Sequence, residues 1–199
     1  ALWKTLVDLE WQGLPVPAEH GGSGASTIEL VVLVEELGWA ADPTPFLATT
    51  TQHLPLVRDC RRGDVRAERL VAIAAGSPGA AVHAPDTVTA ERHGAGWVLT
   101  GSAAHVLDGD RADQLAVVAS VVEGVGVFLV PSDAAMVTRE ASFDGSLHLT
   151  RVDLDHVAVP GDHAAVGPEI SAAVQRAREE AVTGLAAMTV GASQRIFDL

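Results

Sequence analysis

The chain has 199 residues, 48% of them hydrophobic, enough for one large or two small globular units with a buried core. Against 26 acidic residues there are 13 basic ones, a net charge of −13 that argues against nucleic acid or an anionic membrane surface as partner, since both demand clustered Lys and Arg. Lys4 is the only lysine, Arg61 and Arg62 are the only adjacent arginines, and the lone Cys60 excludes an intramolecular disulfide or a cysteine-based zinc site. Cys60 reads as a surface or partly buried thiol. No apolar run approaches the roughly 20 residues that span a bilayer, and Asp8 and Glu10 interrupt the start where a signal peptide would be apolar. The expected location is the cytoplasm.

In chain order, residues 1–69 read as helical. "ALWKTLVDLEW" has helical spacing at Leu2, Leu6 and Leu9, like the middle of a helix cut from something longer. Residues 13–26, "GLPVPAEHGGSGAS", form a Pro- and Gly-rich loop, and Ser26 with Glu29 has capping-box spacing for a helix running to Gly38. "DPTPF" forces a turn into a further helical piece, with a break expected at Pro55.

From about residue 70 to 163 the period changes to two. "TVTAERHGAGWVLTG" gives two strands joined at "HGAG", "QLAVVASVV" a buried strand, and "VGVFLVP" a return after Glu123-Gly124. In "RVDLDHVAVP" the apolar phase shifts between Leu154 and Val157, predicting a β-bulge at Asp155-His156. Strands without intervening helices indicate an antiparallel sandwich or barrel. Over 164–199 helical spacing returns, with a predicted stripe at Ile170, Val174, Ala177, Ala181, Leu185, Met188, Ala192 and Ile196. That stripe is expected to pack on helices outside this segment or on another subunit, and Gly184 and Gly191 suggest close helix packing. The fold class is therefore α+β: an N-terminal helical domain, an antiparallel β-barrel or sandwich middle domain, and the start of a C-terminal helical bundle.

Three chemistries could use the glycine-rich loop. A phosphate cradle needs GxGxxG or GxxxxGK[ST] after a strand, and Thr27 occupies the third glycine position after Gly22 and Gly24. A hydrolase could use His20-Gly21-Gly22 as an oxyanion loop, but no GxSxG elbow accompanies it. The third use is a tight backbone crossing, for which paired glycines supply positive φ. The eight histidines lack metal-ligand spacing, so no metal site is expected. The adjacent acids Asp108 with Asp110, and Glu179-Glu180, read as turn or solvated-face residues.

Taken in order, these motifs resemble the acyl-CoA dehydrogenase family. "WQGLPVPAEHGGSGAS" is similar to its "G-(I/L)-x-x-P-E-x-(Y/H)-G-G-x-G" loop, followed by "E-E-L-G" at Glu35 to Gly38; "PTPFLAT" is similar to its "P-x-P-(F/Y)" turn. "GWVLTGSAAHVLDGDRADQLAVVA" resembles the strand pair of its flavin-binding middle domain, and "RVDLDHVAVP" its exit strand. The resemblance implies FAD as cofactor and α,β-dehydrogenation of an acyl-CoA thioester by a homo- or hetero-oligomer, a dimer or tetramer. It places His105, Val106, Leu107 and Asp108, with Ala74 and Ser77, at the flavin, and Glu35 and Glu36 near the closed end of the acyl-chain cavity. The family's T-E-P-x-x-G-S stretch is here "AIAAGSPGA", and its "W-I-(T/S)" contact is His105-Val106-Leu107, so Ala74 and Leu107 replace two flavin-directed hydroxyls. The catalytic base is expected beyond Leu199, which leaves this segment alone without activity. The alternatives are a non-catalytic partner subunit of a heteromeric acyl-CoA dehydrogenase, and the hydrolase with an HGG oxyanion loop.

Overall fold

A computed structural model describes residues 2–60 and 64–199; Arg61 and Arg62 lie outside the described residues. Helix α1 (Leu2–Asp8) leads into the glycine-rich loop, then α2 (Thr27–Trp39), a π-helix (Ala48–His53) continuous with α3 (Leu54–Cys60), and α4 (Asp64–Ala74). Ser26 caps α2 as its spacing predicts: its backbone N–H donates to Glu29 Oε2 at 2.8 Å and its hydroxyl accepts from Ile28 N at 3.3 Å. At Pro55 the expected break does not occur. Pro55 falls in the first turn of α3, and the π stretch before it shifts the bonding register where a proline N–H would be missing.

Strands β1 (Gly79–His83), β2 (Val88–His93), β3 (Gly96–Leu107), β4 (Gln114–Val121), β5 (Gly124–Pro131), β6 (Met136–Arg139), β7 (Leu149–Val159) and β8 (Ala164–Val166) form one eight-stranded sheet, ordered β6-β7-β3-β2-β4-β5-β8 with β1 on β4. Most pairings are antiparallel. Two are not: β1 runs parallel to β4 from Gly79↔Gln114 to His83↔Val118, and β2 meets β4 in parallel at Thr89↔Ser120. β8 carries the sheet past residue 163. The predicted bulge is present, since β7 passes from Leu154 to Val157 while β3 passes only from Gly101 to Leu99, and His156 takes φ 52°.

One face of the sheet wraps a core of Val88, Leu99, Leu115, Val117, Phe128, Val152 and Leu154, with Trp97 edge-on to Phe128 at 5.5 Å. The other face, through Ala116, Val118, Val127 and Leu129, meets α3, α4 and the long helix α5 (Pro168–Phe197). "LAVVA", Leu115 to Ala119, is continuously apolar because β4 is buried on both faces.

The buried stripe of α5 differs from the predicted one. Ile170, Ala173, Ala177, Gly184, Ala187 and Gly191 face this chain's own α2, α3 and π-helix, whereas Leu185 and Ile196 are exposed and Ala192 lies on the outer side. Small residues let the backbones meet. A Cβ on Gly191 would overlap the Glu35 carbonyl of α2, and one on Gly38 would overlap the Met188 carbonyl of α5. Arg58 of α3 adds an ion pair to Glu180 of α5 at 2.5 Å, so Glu180 is a helix-helix contact rather than a solvated acid. Cys60 is buried, and burial first, then Asp59, pushes its thiol up to about 12.

Substituting Gly191→Ala is expected to lower stability by about 1–3 kcal/mol through this overlap, while Gly145→Ala, where a Cβ meets open space, leaves it unchanged. Urea unfolding of the two variants against the parent measures the difference.

Candidate functional site

The glycine-rich loop is a backbone corner. Ser23 N donates to Gly13 O at 3.0 Å, Ala25 N to Leu14 O at 2.8 Å and Gly24 N to Val16 O at 2.8 Å, folding its two arms together. Gly21 and Gly24 hold φ of 85° and 65°, and a Cβ on Gly22 would overlap the Val16 and Gly13 carbonyls. The N–H groups of Gly21 and Gly22 already donate to Ala18 O and Pro17 O, so the HGG segment offers no free donor pair for an oxyanion. The corner sits on Ala74, whose carbonyl accepts from Gln12 Nε2 at 2.7 Å.

The residues singled out along β3 lie at the bulged end of that strand. Between Ala103↔Val152 and Val106↔Thr150 the register slips, so Ala104 and His105 bulge from β3 and His105 takes φ 59°. Its N–H donates to Glu140 Oε2 at 2.8 Å and its ring Nδ1 lies 3.0 Å from the same oxygen. Beyond the bulge Val106 turns into the sheet's inner core. Leu107 joins the helical cluster of Leu30, Val34, Leu37, Phe46 and Leu47. Asp108, with φ 55°, ends the strand and donates its N–H to His148 O at 2.7 Å.

The turn after β3 is tied to the link before β1. Asp113 N donates to Pro78 O at 2.9 Å, and the Ser77 hydroxyl donates to Asp113 Oδ2 at 2.8 Å. Ser77, Leu107 and Asp108 are thus held around one turn, with Ala74 at the base of the link. Glu35 and Glu36 are both exposed on α2; Glu36 borders an apolar groove of about 310 Å³ floored by Leu6, Leu9, Trp11 and Leu37.

The spacing analysis missed a polar junction beside this turn. Arg111 donates to Pro43 O and contacts His148 Nε2, with its Nη1 3.6 Å from Asp108 Oδ1; His148 Nδ1 lies 3.0 Å from Asp110 Oδ2. Asp42 accepts from Thr44 N at 3.2 Å and from its hydroxyl at 2.7 Å. The one signal available was "DGDRAD", a turn with four charges, to which His148 and Asp42 are distant in sequence. Asp110 is engaged with His148 rather than being a bare turn acid. Burial is the main cause that raises Asp108 to about 7, and Asp110 and Asp42 add to it against the pull of Arg111 and Arg139. Burial also raises Asp42. Among the described residues no group of three or more His, Cys, Asp or Glu could hold a metal ion, and no helix is long and apolar enough to cross a membrane.

Residues 1–76 match the family described as acyl-CoA dehydrogenase, N-terminal domain. The helix, sheet and helix order continues beyond the matched residues. Residues 1–76 belong to the acyl-CoA dehydrogenase N-terminal domain family. The chain is 28% identical over 201 residues to the acyl-CoA dehydrogenase FadE12 of Mycobacterium tuberculosis, covering 87% of this chain and 50% of that protein. It spans about half the length of the curated relatives it matches over most of its own length. Its fold superposes on the ChsE4–ChsE5 complex from Mycobacterium tuberculosis with a TM-score of 0.86 at 23% identity, covering 98% of this chain and 54% of that one. It also superposes on a glutaryl-CoA dehydrogenase from Mycobacterium smegmatis in complex with FADH2 with a TM-score of 0.84 at 21% identity, covering 98% and 54%.

An acyl-CoA dehydrogenase fold with a carboxyl held near 7 carries a pH signature. Between the ordinary 3.8 and about 7 the folded chain keeps a proton on Asp108 that the unfolded chain releases, so this group's contribution to stability falls as pH rises through that window. Asp108→Asn is expected to gain on the parent by on the order of 2–4 kcal/mol between pH 4 and pH 8. Urea unfolding of both proteins at the two pH values gives that difference, and a pH-independent gap contradicts it.

Proposed function

We propose that this chain is the N-terminal and middle portion of an acyl-CoA dehydrogenase-type flavoprotein subunit, acting in the cytoplasm on the α,β bond of an acyl-CoA thioester with FAD. The observation that carries the reading is the bulged end of β3, where left-handed His105 and Asp108 frame Val106-Leu107 beside the helical layer, at the position where family resemblance puts the flavin. The residues fit the apolar part of a flavin through Leu107 and backbone. They do not reproduce hydroxyl contacts, because Ala74 and Leu107 have none and Ser77 donates its own to Asp113. FAD, when bound, supplies the hydride acceptor for the dehydrogenation. This chain's contribution is to present Leu107 to it and exclude water there, the His105 and Asp108 N–H groups being bonded to Glu140 and His148, while Glu35 and Glu36 on α2 stand toward the acyl end. No described residue is assigned as the base.

A second reading, a non-catalytic partner subunit in a heteromer, is favoured by the same missing hydroxyls and by exposed apolar residues on two helices. Val32 on α2 and Val182, Leu185 and Val190 on α5 are more than half exposed, a surface suited to further helices or another subunit. The ChsE4–ChsE5 structure is itself described as a complex of two named components.

Losing two hydrogen bonds of about 0.5–1.5 kcal/mol each weakens flavin binding roughly 5- to 150-fold. Little flavin is therefore expected on residues 1–199 alone, and stoichiometric flavin absorbance on the full-length oligomer. Leu107→Thr is expected to tighten binding by up to about tenfold. Flavin retained only after co-purification with a partner subunit supports the second reading; no flavin under any of these conditions rejects the first.

A further inference from the structure

Arg111 stands where three parts of the chain converge: the corner between α2 and the π-helix, the turn after β3, and the start of β7. Its guanidinium donates to Pro43 O on the corner and contacts His148 Nε2 beside β7, while its own N–H donates to Asp108 O at 3.0 Å. The side chain reaches back to the Asp108 carboxylate at 3.6 Å, so one residue touches the helical layer, the neighbouring strand and the end of β3. His148 completes the circuit: its carbonyl accepts the Asp108 N–H at 2.7 Å, and its Nδ1 lies 3.0 Å from Asp110. With Nε2 accepting from Arg111, the ring must carry its proton on Nδ1 and donate it to Asp110. Each of these bonds fixes the same short stretch of backbone.

Resting on the proposed flavin site, we propose that Arg111 is a positioning residue: its guanidinium fork holds left-handed Asp108, the end of the bulged His105–Asp108 segment, against the Pro43 corner, so that the segment meets the cofactor preformed. A planar fork has donors for two acceptors on separate elements, whereas a lysine ammonium is a single point on a flexible stem. At a rim with two hydroxyls missing and the His105 and Asp108 N–H groups already engaged, the remaining recognition is by apolar surface, whose shape depends on where the backbone is held. The charge of Arg111 also opposes the rise that burial causes in Asp108 and Asp42.

The test uses the full-length protein with its native partner, comparing Arg111→Met and Arg111→Lys with the parent and with Arg151→Met, which removes an exposed pair to Asp153 on β7. Flavin affinity, the visible circular dichroism of bound flavin, and amide hydrogen exchange over residues 105–111 are measured. Expected is a flavin dissociation constant at least about tenfold higher in Arg111→Met, an altered visible dichroism and faster exchange at 105–111, with Arg111→Lys only partly restored and Arg151→Met like the parent. Parental affinity and dichroism in Arg111→Met overturn the proposal and leave the flavin site standing. Full restoration by lysine overturns the fork argument. If Arg111→Met fails to fold, Arg111→Lys decides by the same three readouts. A parent that binds no flavin removes the site and this role together, while the exchange data still report whether Arg111 holds the turn.

Discussion

The burial of β4 on both faces is the constraint on which the rest of the structure depends. Leu115, Val117 and Ala119 fill the inside of the sheet, while Ala116 and Val118 meet the helices, so one strand serves two cores. A strand in that position cannot lie on an edge, and it is flanked by β2 and β5 with β1 added in parallel. The helices then have a fixed apolar floor. α5 lies across it through Ile170, Ala173 and Ala177, and its far half is free to meet α2 at Gly38 and Gly191. Burying each fully enclosed valine or leucine contributes roughly 1.5–3 kcal/mol, so a core shared by two layers couples their stabilities.

Elements with a strong local signal were legible in the sequence. The capping box at Ser26, the hairpin at "HGAG" and the bulge at Asp155-His156 rest on residues close in the chain, and each is present. What escaped notice depends on partners far apart. β1 is only five residues, Gly-Ala-Ala-Val-His, and it becomes a strand because Gly79 to His83 lie along β4. Gly79 is required there because a Cβ would overlap the fully buried ring of His53, whose burial pushes it down to about 4. The stripe on α5 was misread for the opposite reason. Its larger apolar residues, Leu185 and Ile196, suggested the packed face, yet the close contact with α2 selects glycine and alanine and leaves those two outside.

The candidate site shows the same division. Family resemblance points to His105 to Asp108, and the conformation there comes from a register slip against β7, which no local pattern announced. The junction of Arg111, His148, Asp110 and Asp42 draws on residues from three separate stretches, each unremarkable alone. Leu107 belongs to the helical cluster and Val106 to the sheet interior, so this segment is the seam where the two cores meet. A polar group placed at such a seam is desolvated by both sides, which is why Asp108 ionises so reluctantly.

The π-helix at Ala48–His53 has an evolutionary reading. A π turn closes its hydrogen bond one residue later than an α turn, so this stretch holds a surplus residue within an otherwise continuous rod. Thr50 and Thr51 return their hydroxyls to the carbonyls of Phe46 and Leu47, one turn back along the helix. In a relative whose chain is one residue shorter here, the gap therefore belongs inside the helix and not in the Pro43–Pro45 corner. Aligned that way, the corner that receives Arg111 keeps its place, and length variation is absorbed by the winding of the helix behind it.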